Sequence, residues 1–311
     1  MTAPVTASGT TAPPRLQEVA ENIYAYLQPD GGWCLSNSGI FLGRDSVAIV
    51  DTAATESRGR GLREAVRDLT PVAPRTVINT HHHGDHTFGN WLFAPEATVV
   101  AHELARTEMA EKGTGLLQVW PDTDWGRVEL ALPTVTFEER LTLYVDGTRV
   151  ELIHVGPAHT TNDIVVWVPE HRLLFAGDVL MPGCTPFVLM GSVRGSLDAL
   201  ERLRALGPRT VVGGHGEVSG PEAIDQAEAY LRWIRTTARA AVEAGLEPLE
   251  AALESDLGEH AGLRDPERVV ANLHRACSEE RGHPIDTQIR SGPVFAEMVR
   301  YNGGRPLTCL A

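Results

Sequence analysis

Residues 80–86 read Thr-His-His-His-Gly-Asp-His, so four histidines and one carboxylate fall in a single short segment. Imidazole and carboxylate together suit zinc and similar divalent cations, which they hold at about 2.0–2.2 Å. In an extended segment alternate side chains point the same way. His81 and His83 can therefore share one ion while His82 faces elsewhere. Gly84 permits a tight turn that brings Asp85 and His86 to a second ion. A solvated histidine run or a purification tag has the same composition. This cluster, however, is internal and follows an apolar stretch, TVINT (76–80).

Three later residues carry the same chemistry. His159 stands in GPAHTTND, just beyond the predicted strand 150–156. Asp178 closes RLLFAGD (172–178), where an apolar strand would otherwise bury a lone carboxylate at high cost. His215 stands in GGHG, again after a strand. Any one of them alone would more often be structural; their shared position after strands argues for one site. Two cations about 3.5–4 Å apart lower the pKa of a shared water and polarise a carbonyl. The other histidines, His82, His102, His154, His171, His260, His274 and His283, read as surface or packing residues.

The elements that must position these residues are legible from periodicity. SVAIVD (46–51), TVINT (76–80), VELIHVG (150–156), DIVVWV (163–168), RLLFAGD (172–178) and TVVGG (210–214) read as buried strands. Helices are predicted over 56–69, over 197–206 with Ser196 as N-cap, and from Pro221 to Gly245. Asp265-Pro266-Glu267 opens another. A weak echo runs through the chain: Asp51 ends a strand and His81 comes 30 residues later, while Asp178 ends a strand and His215 comes 37 later. Two α/β halves packed sheet to sheet would bring these strand ends to one edge, where α/β folds bind ligands. The expected fold is a four-layer αββα sandwich over 16–246. A helical extension, 247–311, packs on the same domain, and a loose tail covers 1–15.

Composition excludes several classes. With 311 residues and a formal net charge of −14, the chain has core enough to fold and no basic footprint for nucleic acid. Cys34, Cys184, Cys277 and Cys309 form no CxxC pair and make a poor disulfide framework. The opening MTAPVTASGTTAPPR lacks the basic and apolar regions of a signal peptide, and no run of about 18 apolar residues offers a membrane span. A cytoplasmic address is expected.

The ordered residues His81, His83, Asp85, His86, His159, Asp178 and His215 resemble the metallo-β-lactamase fold superfamily, over about residues 18–220. That resemblance implies that His81, His83 and His159 hold one metal and that Asp85, His86 and His215 hold the other. Asp178 bridges them, and Asp51 supports the metal loop from behind. Many true β-lactamases carry Cys at the bridging position. An Asp there is more similar to the thioesterase, glyoxalase II and lactonase branches, and the lack of an export signal points the same way.

Further stretches resemble a narrower family. They include GGWCLSNSGI (31–40), VWPDTDWG (119–126), LFAGDVLMPGCTPFVLMGSVRGSL (174–197) and YNGGRPLTCLA (301–311). They are similar to the actinorhodin-type second-ring cyclase/thioesterases of bacterial aromatic polyketide biosynthesis, nearly end to end. The resemblance implies a substrate bound to acyl carrier protein, an aldol ring closure with dehydration, and thioester hydrolysis. It also implies two divalent ions, with zinc favoured by the histidine-rich donor set, and Asp85 as the catalytic acid or base. Expected pocket walls are Trp33, Trp120, Trp125, Met181 and Phe187. An acidic carrier would need a local basic patch, for which Arg58, Arg60, Arg63 and Arg67, or Arg232, Arg235 and Arg239, are candidates. The competing readings are a general thioester or lactone hydrolase of glyoxalase II type and, from another class, a di-iron redox protein of related fold.

Overall fold

The computed structural model describes residues 12–285 and 287–311. Most of the expected tail over 1–15 lies outside the described residues, and its last residue, Arg15, opens the first strand.

Among the described residues the strands form two sheets. The first runs β1 (Arg15–Ala20), β2 (Ile23–Leu27), β3 (Ser38–Leu42), β4 (Val47–Val50), β5 (Pro74–Ile78), β6 (Thr98–His102) and β7 (Val135–Phe137), in that spatial order. Its first four strands are antiparallel, and β4 to β7 are parallel. The second sheet has the order β12 (Thr210–Gly213), β11 (Leu173–Gly177), β10 (Ile164–Val168), β9 (Thr148–His154) and β8 (Arg140–Val145). In it only β11 and β12 are parallel.

The sheets pack through alternate residues. Ile23, Phe41, Val50 and Ile78 from the first meet Leu152, Ile164, Phe175 and Val212 from the second. The rings of Phe41 and Phe175 sit 5.4 Å apart between the layers. The outer face of the first sheet is covered by α1 (Glu56–Leu69), which buries Leu62 and Val66 on Ile40, Ile49 and Val77. The second sheet is covered by α4 (Val193–Leu206) and α5 (Glu222–Ala244). The result is the four-layer αββα sandwich. Its helical C-terminal region, α6 (Pro248–Glu254), α7 (Arg268–Glu280) and α8 (Ser291–Tyr301), shares one apolar cluster with α4 and α5.

The echo between halves has a structural counterpart. The segments β4–α1–β5 and β11–α4–β12 each pair two parallel strands around a helix, which puts Asp51, His81, Asp178 and His215 at strand ends. One cap differs from expectation. Helix α4 begins at Val193, and its N-cap is Ser192, whose Oγ accepts from the Gly195 amide at 2.9 Å. Ser196 lies within the helix and donates its hydroxyl to the Ser192 carbonyl at 2.7 Å. Val193 adds an earlier apolar residue to the helix, so the cap falls one turn upstream. No described helix is long and apolar enough to cross a membrane.

Ser192→Ala should cost about 1 kcal/mol of stability through loss of the cap. Urea denaturation checks this; a larger loss from Ser196→Ala would show that the cap is misassigned.

Candidate metal centre

The loop after β5 carries His81, His82 and His83, and a single turn, α2 (Gly84–Thr87), carries Asp85 and His86. Gly84 is required for space: a Cβ there would meet the Phe88 ring at 2.4 Å. His159 comes from the loop between β9 and β10. Asp163 shapes that loop, accepting from the Thr160 amide at 2.7 Å and the Ala158 amide at 3.2 Å. Asp178 comes directly after β11, and His215 shortly after β12. Gly214 makes room between them, since a Cβ there would lie 1.9 Å from Asp178 Oδ1.

All seven sequence-derived candidates converge. His81, His83, His159 and Asp178 form one group and Asp85, His86 and His215 a second, with the donor atoms of each group within 4.8 Å of one another. Asp178 stands between the groups. Its Oδ2 lies 3.9 Å from His81 Nε2, 3.4 Å from His159 Nε2 and 3.5 Å from His215 Nε2. Its Oδ1 lies 3.2 Å from His86 Nε2. Asp85 Oδ2 lies 3.3 Å from His215 Nε2.

The surrounding oxygens set which nitrogen of each ring faces inward. Asp51 adopts φ 56°, a left-handed conformation rarely used by non-glycine residues. From there its carboxylate accepts from the Thr80 amide at 2.7 Å, the Thr80 hydroxyl at 2.6 Å and His86 Nδ1 at 2.9 Å. Because Thr80 donates its proton to Asp51, it can only accept from His81 Nδ1, 3.1 Å away. His159 Nδ1 donates to the Phe187 carbonyl, and His215 Nδ1 to the Gly31 carbonyl at 3.1 Å. In each neutral ring the proton therefore sits on Nδ1 and the lone pair on Nε2. Those four Nε2 atoms face Asp178. His83 instead turns Nδ1 inward, 2.8 Å from His159 Nε2.

This donor set fits divalent cations. Nε2 of His81 and His86 and Oδ1 of Asp178 are buried, and apart from the 3.2 Å approach of His86 Nε2 to Asp178 Oδ1 none has a hydrogen-bond partner among the described residues. Buried polar atoms are normally paired, so their convergence marks a cation's place. The protonation chemistry agrees. Burial and the neighbouring His86 hold His81 well below the ordinary histidine range, and burial with His82 does the same for His83. Burial also works against charge on His86, yet Asp178, Asp51 and Asp85 raise it well above. His215 is similarly opposed by burial but raised by Asp178 and Asp85 to about 9. Without a cation, the second group holds its charges together with protons.

A narrow cavity of about 60 Å³ sits over both groups, walled by Trp33, Trp120, Met181 and Phe187. Trp125 does not line it. That ring packs on Phe88 at 6.2 Å and donates Nε1 to the Trp120 carbonyl, bracing the wall from behind. Sequence reasoning missed Cys34, Leu116, Met190, Arg268 and Phe295, which line the same cavity. Arg268 and Phe295 come from the C-terminal helices, and no local pattern signals that they reach the centre. Trp120 and Phe295 are shared with an outer cavity of about 870 Å³, which the segments 118–124 and 306–311 help to wall. Of the histidines outside the centre, His82 is held by Asn162, with its Nδ1 3.0 Å from Asn162 Nδ2. His102 stacks on His154 at 3.9 Å.

The sequence profile of the metallo-beta-lactamase superfamily matches residues 31–215, the span from the Trp33 loop to the last histidine of the centre. The chain belongs to this superfamily. Within it, a metallo-beta-lactamase type 2 of Bacteroides fragilis is 26% identical over 235 residues, covering 72% of this chain and 88% of that protein. A hydroxyacylglutathione hydrolase of Xylella fastidiosa is 29% identical over 250 residues, covering 76% and 82%. A metallo-beta-lactamase family protein from Thermus thermophilus shares the fold, with a TM-score of 0.67 at 21% identity over 85% of this chain and 95% of that one. The superfamily match and the two His/Asp groups make this a metallo-beta-lactamase superfamily hydrolase suited to divalent metals, typically zinc.

Two outcomes are expected. Asp51→Asn should weaken zinc affinity by about 10–100-fold by removing the charge that orients His86 and Thr80; competition with a chromogenic chelator measures it. Zinc must also displace the proton on His215, which is bound below about pH 9. Affinity should therefore rise with pH up to that value. Calorimetry in buffers of different ionisation enthalpy should show proton release at neutral pH, and buffer-independent heats would contradict it.

Proposed function

We propose that this chain is a cytoplasmic zinc-dependent thioesterase/cyclase for aromatic polyketides attached to acyl carrier protein. It closes a second ring by aldol condensation with dehydration and hydrolyses the thioester. The observation that carries this reading is an aromatic cluster. Trp33, Trp120, Phe187 and Phe295 lie ring to ring at 5.3–6.3 Å, between the His/Asp groups and the outer cavity of about 870 Å³. A flat, partly cyclised chain suits such walls, lying in the outer cavity with its reacting end toward the His/Asp groups.

His81, His83 and His159 would hold one metal ion and Asp85, His86 and His215 the other, with Asp178 shared between them. Two such ions supply Lewis acidity toward water and a substrate carbonyl. The remaining work falls to side chains. Asp85 lines the inner cavity, so the carboxylate oxygen not holding the ion would take a proton and return it to a leaving group. A thiolate needs little such help, which suits a carboxylate whose pKa the cluster depresses: burial opposes this, but His86 and His215 outweigh it. The aromatic walls exclude water and hold the chain folded on itself, as ring closure requires.

Docking of a carrier protein would use few of the arginines singled out from sequence. Arg58 donates to Gln28 Oε1 and the Leu310 carbonyl, Arg60 pairs with Glu56, Arg232 with Glu228, and Arg239 with Glu280. Arg63, Arg67 and Arg235 remain as docking contacts, with Arg67 exposed at the last turn of α1 and the other two half-buried.

The second reading is a general thioester or lactone hydrolase, favoured by the similarity to a hydroxyacylglutathione hydrolase. Mass spectrometry separates the two. Zinc-replete protein given a carrier-bound polyketide should yield a free acid that has lost water on ring closure; turnover of a glutathione thioester alone would sink the polyketide reading. Asp85→Ala and His83→Ala should each lower kcat by about 10²-fold or more with the fold retained. Near-normal turnover with zinc still bound in either variant would refute the assigned roles.

A further inference from the structure

The inner cavity has a cationic wall. Arg268, in the first turn of α7, is 1% exposed and lines the same cavity as His83, Asp85, His159, Asp178 and His215. Its guanidinium lies 4.0 Å over the Trp33 ring, and Trp33 is anchored by its Nε1 donating to Glu267 at 2.7 Å. Nη2 donates to Asp265 Oδ2 at 2.8 Å, and Nη1 to the Thr185 carbonyl at 3.0 Å with a longer contact to Met181 Sδ at 3.7 Å. Nε has no hydrogen-bond partner among the described residues and is buried.

A guanidinium kept only for structure would be expected to use all its donors, because a buried N–H without an acceptor is costly. Here the planar fork is stacked, held by two oxygen acceptors and left with no partner for Nε, in the wall of the inner cavity. Guanidinium groups recognise planar anionic oxygens. Asp265 takes only one edge of the fork.

We propose that Arg268 forms an anion-binding subsite beside the metal centre, taking a planar anionic oxygen of the substrate: a carboxylate or the enolate of a 1,3-dicarbonyl. The enolate form rests on the polyketide reading above, since such a chain alternates carbonyls and methylenes. The subsite itself requires only an acyl substrate with one acidic oxygen at that distance from the reacting carbonyl.

The test measures binding by the zinc-loaded full chain, not turnover. Benzoate, benzoylacetone at mildly alkaline pH and neutral acetophenone are titrated into wild type, Arg268→Met and Arg268→Lys. Arg268→Met should weaken at least one anion by about ten- to hundredfold and leave acetophenone within about twofold. Zinc's own attraction for the anions is present in all three proteins, and Arg268→Lys, which keeps the charge, controls for the field Arg268 adds at the metal. Loss confined to benzoate assigns a carboxylate, and loss confined to benzoylacetone assigns an enolate. Equal changes for all three probes would make Arg268 a packing residue and overturn the proposal. If Arg268→Met does not fold by circular dichroism, Arg268→Lys is read in its place, since it keeps the charge but lacks the Nε donor. Anion-selective weakening supports the subsite, and unchanged affinity for every probe overturns it. Absence of ring closure with anion selectivity intact would sink the polyketide reading and leave the subsite standing.

Discussion

Asp178 takes a carboxylate into the protein interior, where it is only 7% exposed. Unpaired, such a charge costs several kcal/mol. Here it is faced by Nε2 of His81, His86, His159 and His215, which come from three separate loops. Much of the architecture is a consequence of that arrangement. Each ring must show a lone pair or a proton on the right nitrogen, so each Nδ1 needs an oxygen behind it. Asp51, the Gly31 carbonyl and the Phe187 carbonyl meet that need, and they come from loops of both halves. Asp51 reaches its place only through a left-handed backbone conformation. Strain of that kind persists where surrounding contacts over-determine it, and three hydrogen bonds to Asp51 do so here.

The sandwich positions these groups, and the C-terminal helices narrow what can reach them. Phe295 of α8 closes against Trp33, Trp120 and Phe187. The segment 306–311 forms part of the outer cavity, and the Leu307 carbonyl accepts from Trp120 Nε1 at 3.0 Å. Helix α7 places Arg268 against the same wall through the Trp33 stack. The strand-end edge that carries the His/Asp groups thus lies beneath an aromatic wall with a cation at its side.

The seven candidate donors were legible in the sequence because they lie just beyond strands whose apolar runs are unmistakable, and strand ends are where such folds gather ligands. Strands β1, β2, β3, β6, β7 and β8 were harder to read. Their burial is mixed or their runs are short, and pairing with neighbours, not composition, makes them strands. Trp125 illustrates the limit at the pocket. Its type and loop suited a wall, yet its ring is buried against Phe88 and supports Trp120 from behind. Which side of a loop an aromatic ring occupies depends on the surface it meets, and that surface comes from elsewhere in the chain.

Donor types, their order and the α/β pattern are written in the sequence, because periodicity and local spacing encode strand ends and the residues just beyond them. Folding settled which nitrogen of each ring faces inward and that Asp178 stands between both groups. It also brought Phe295 and Arg268 into a cavity floored by His83, Asp85, His159, Asp178 and His215. Those outcomes depend on contacts between segments far apart in sequence, and only packing of the two sheets and the C-terminal helices brings such segments within reach of one another.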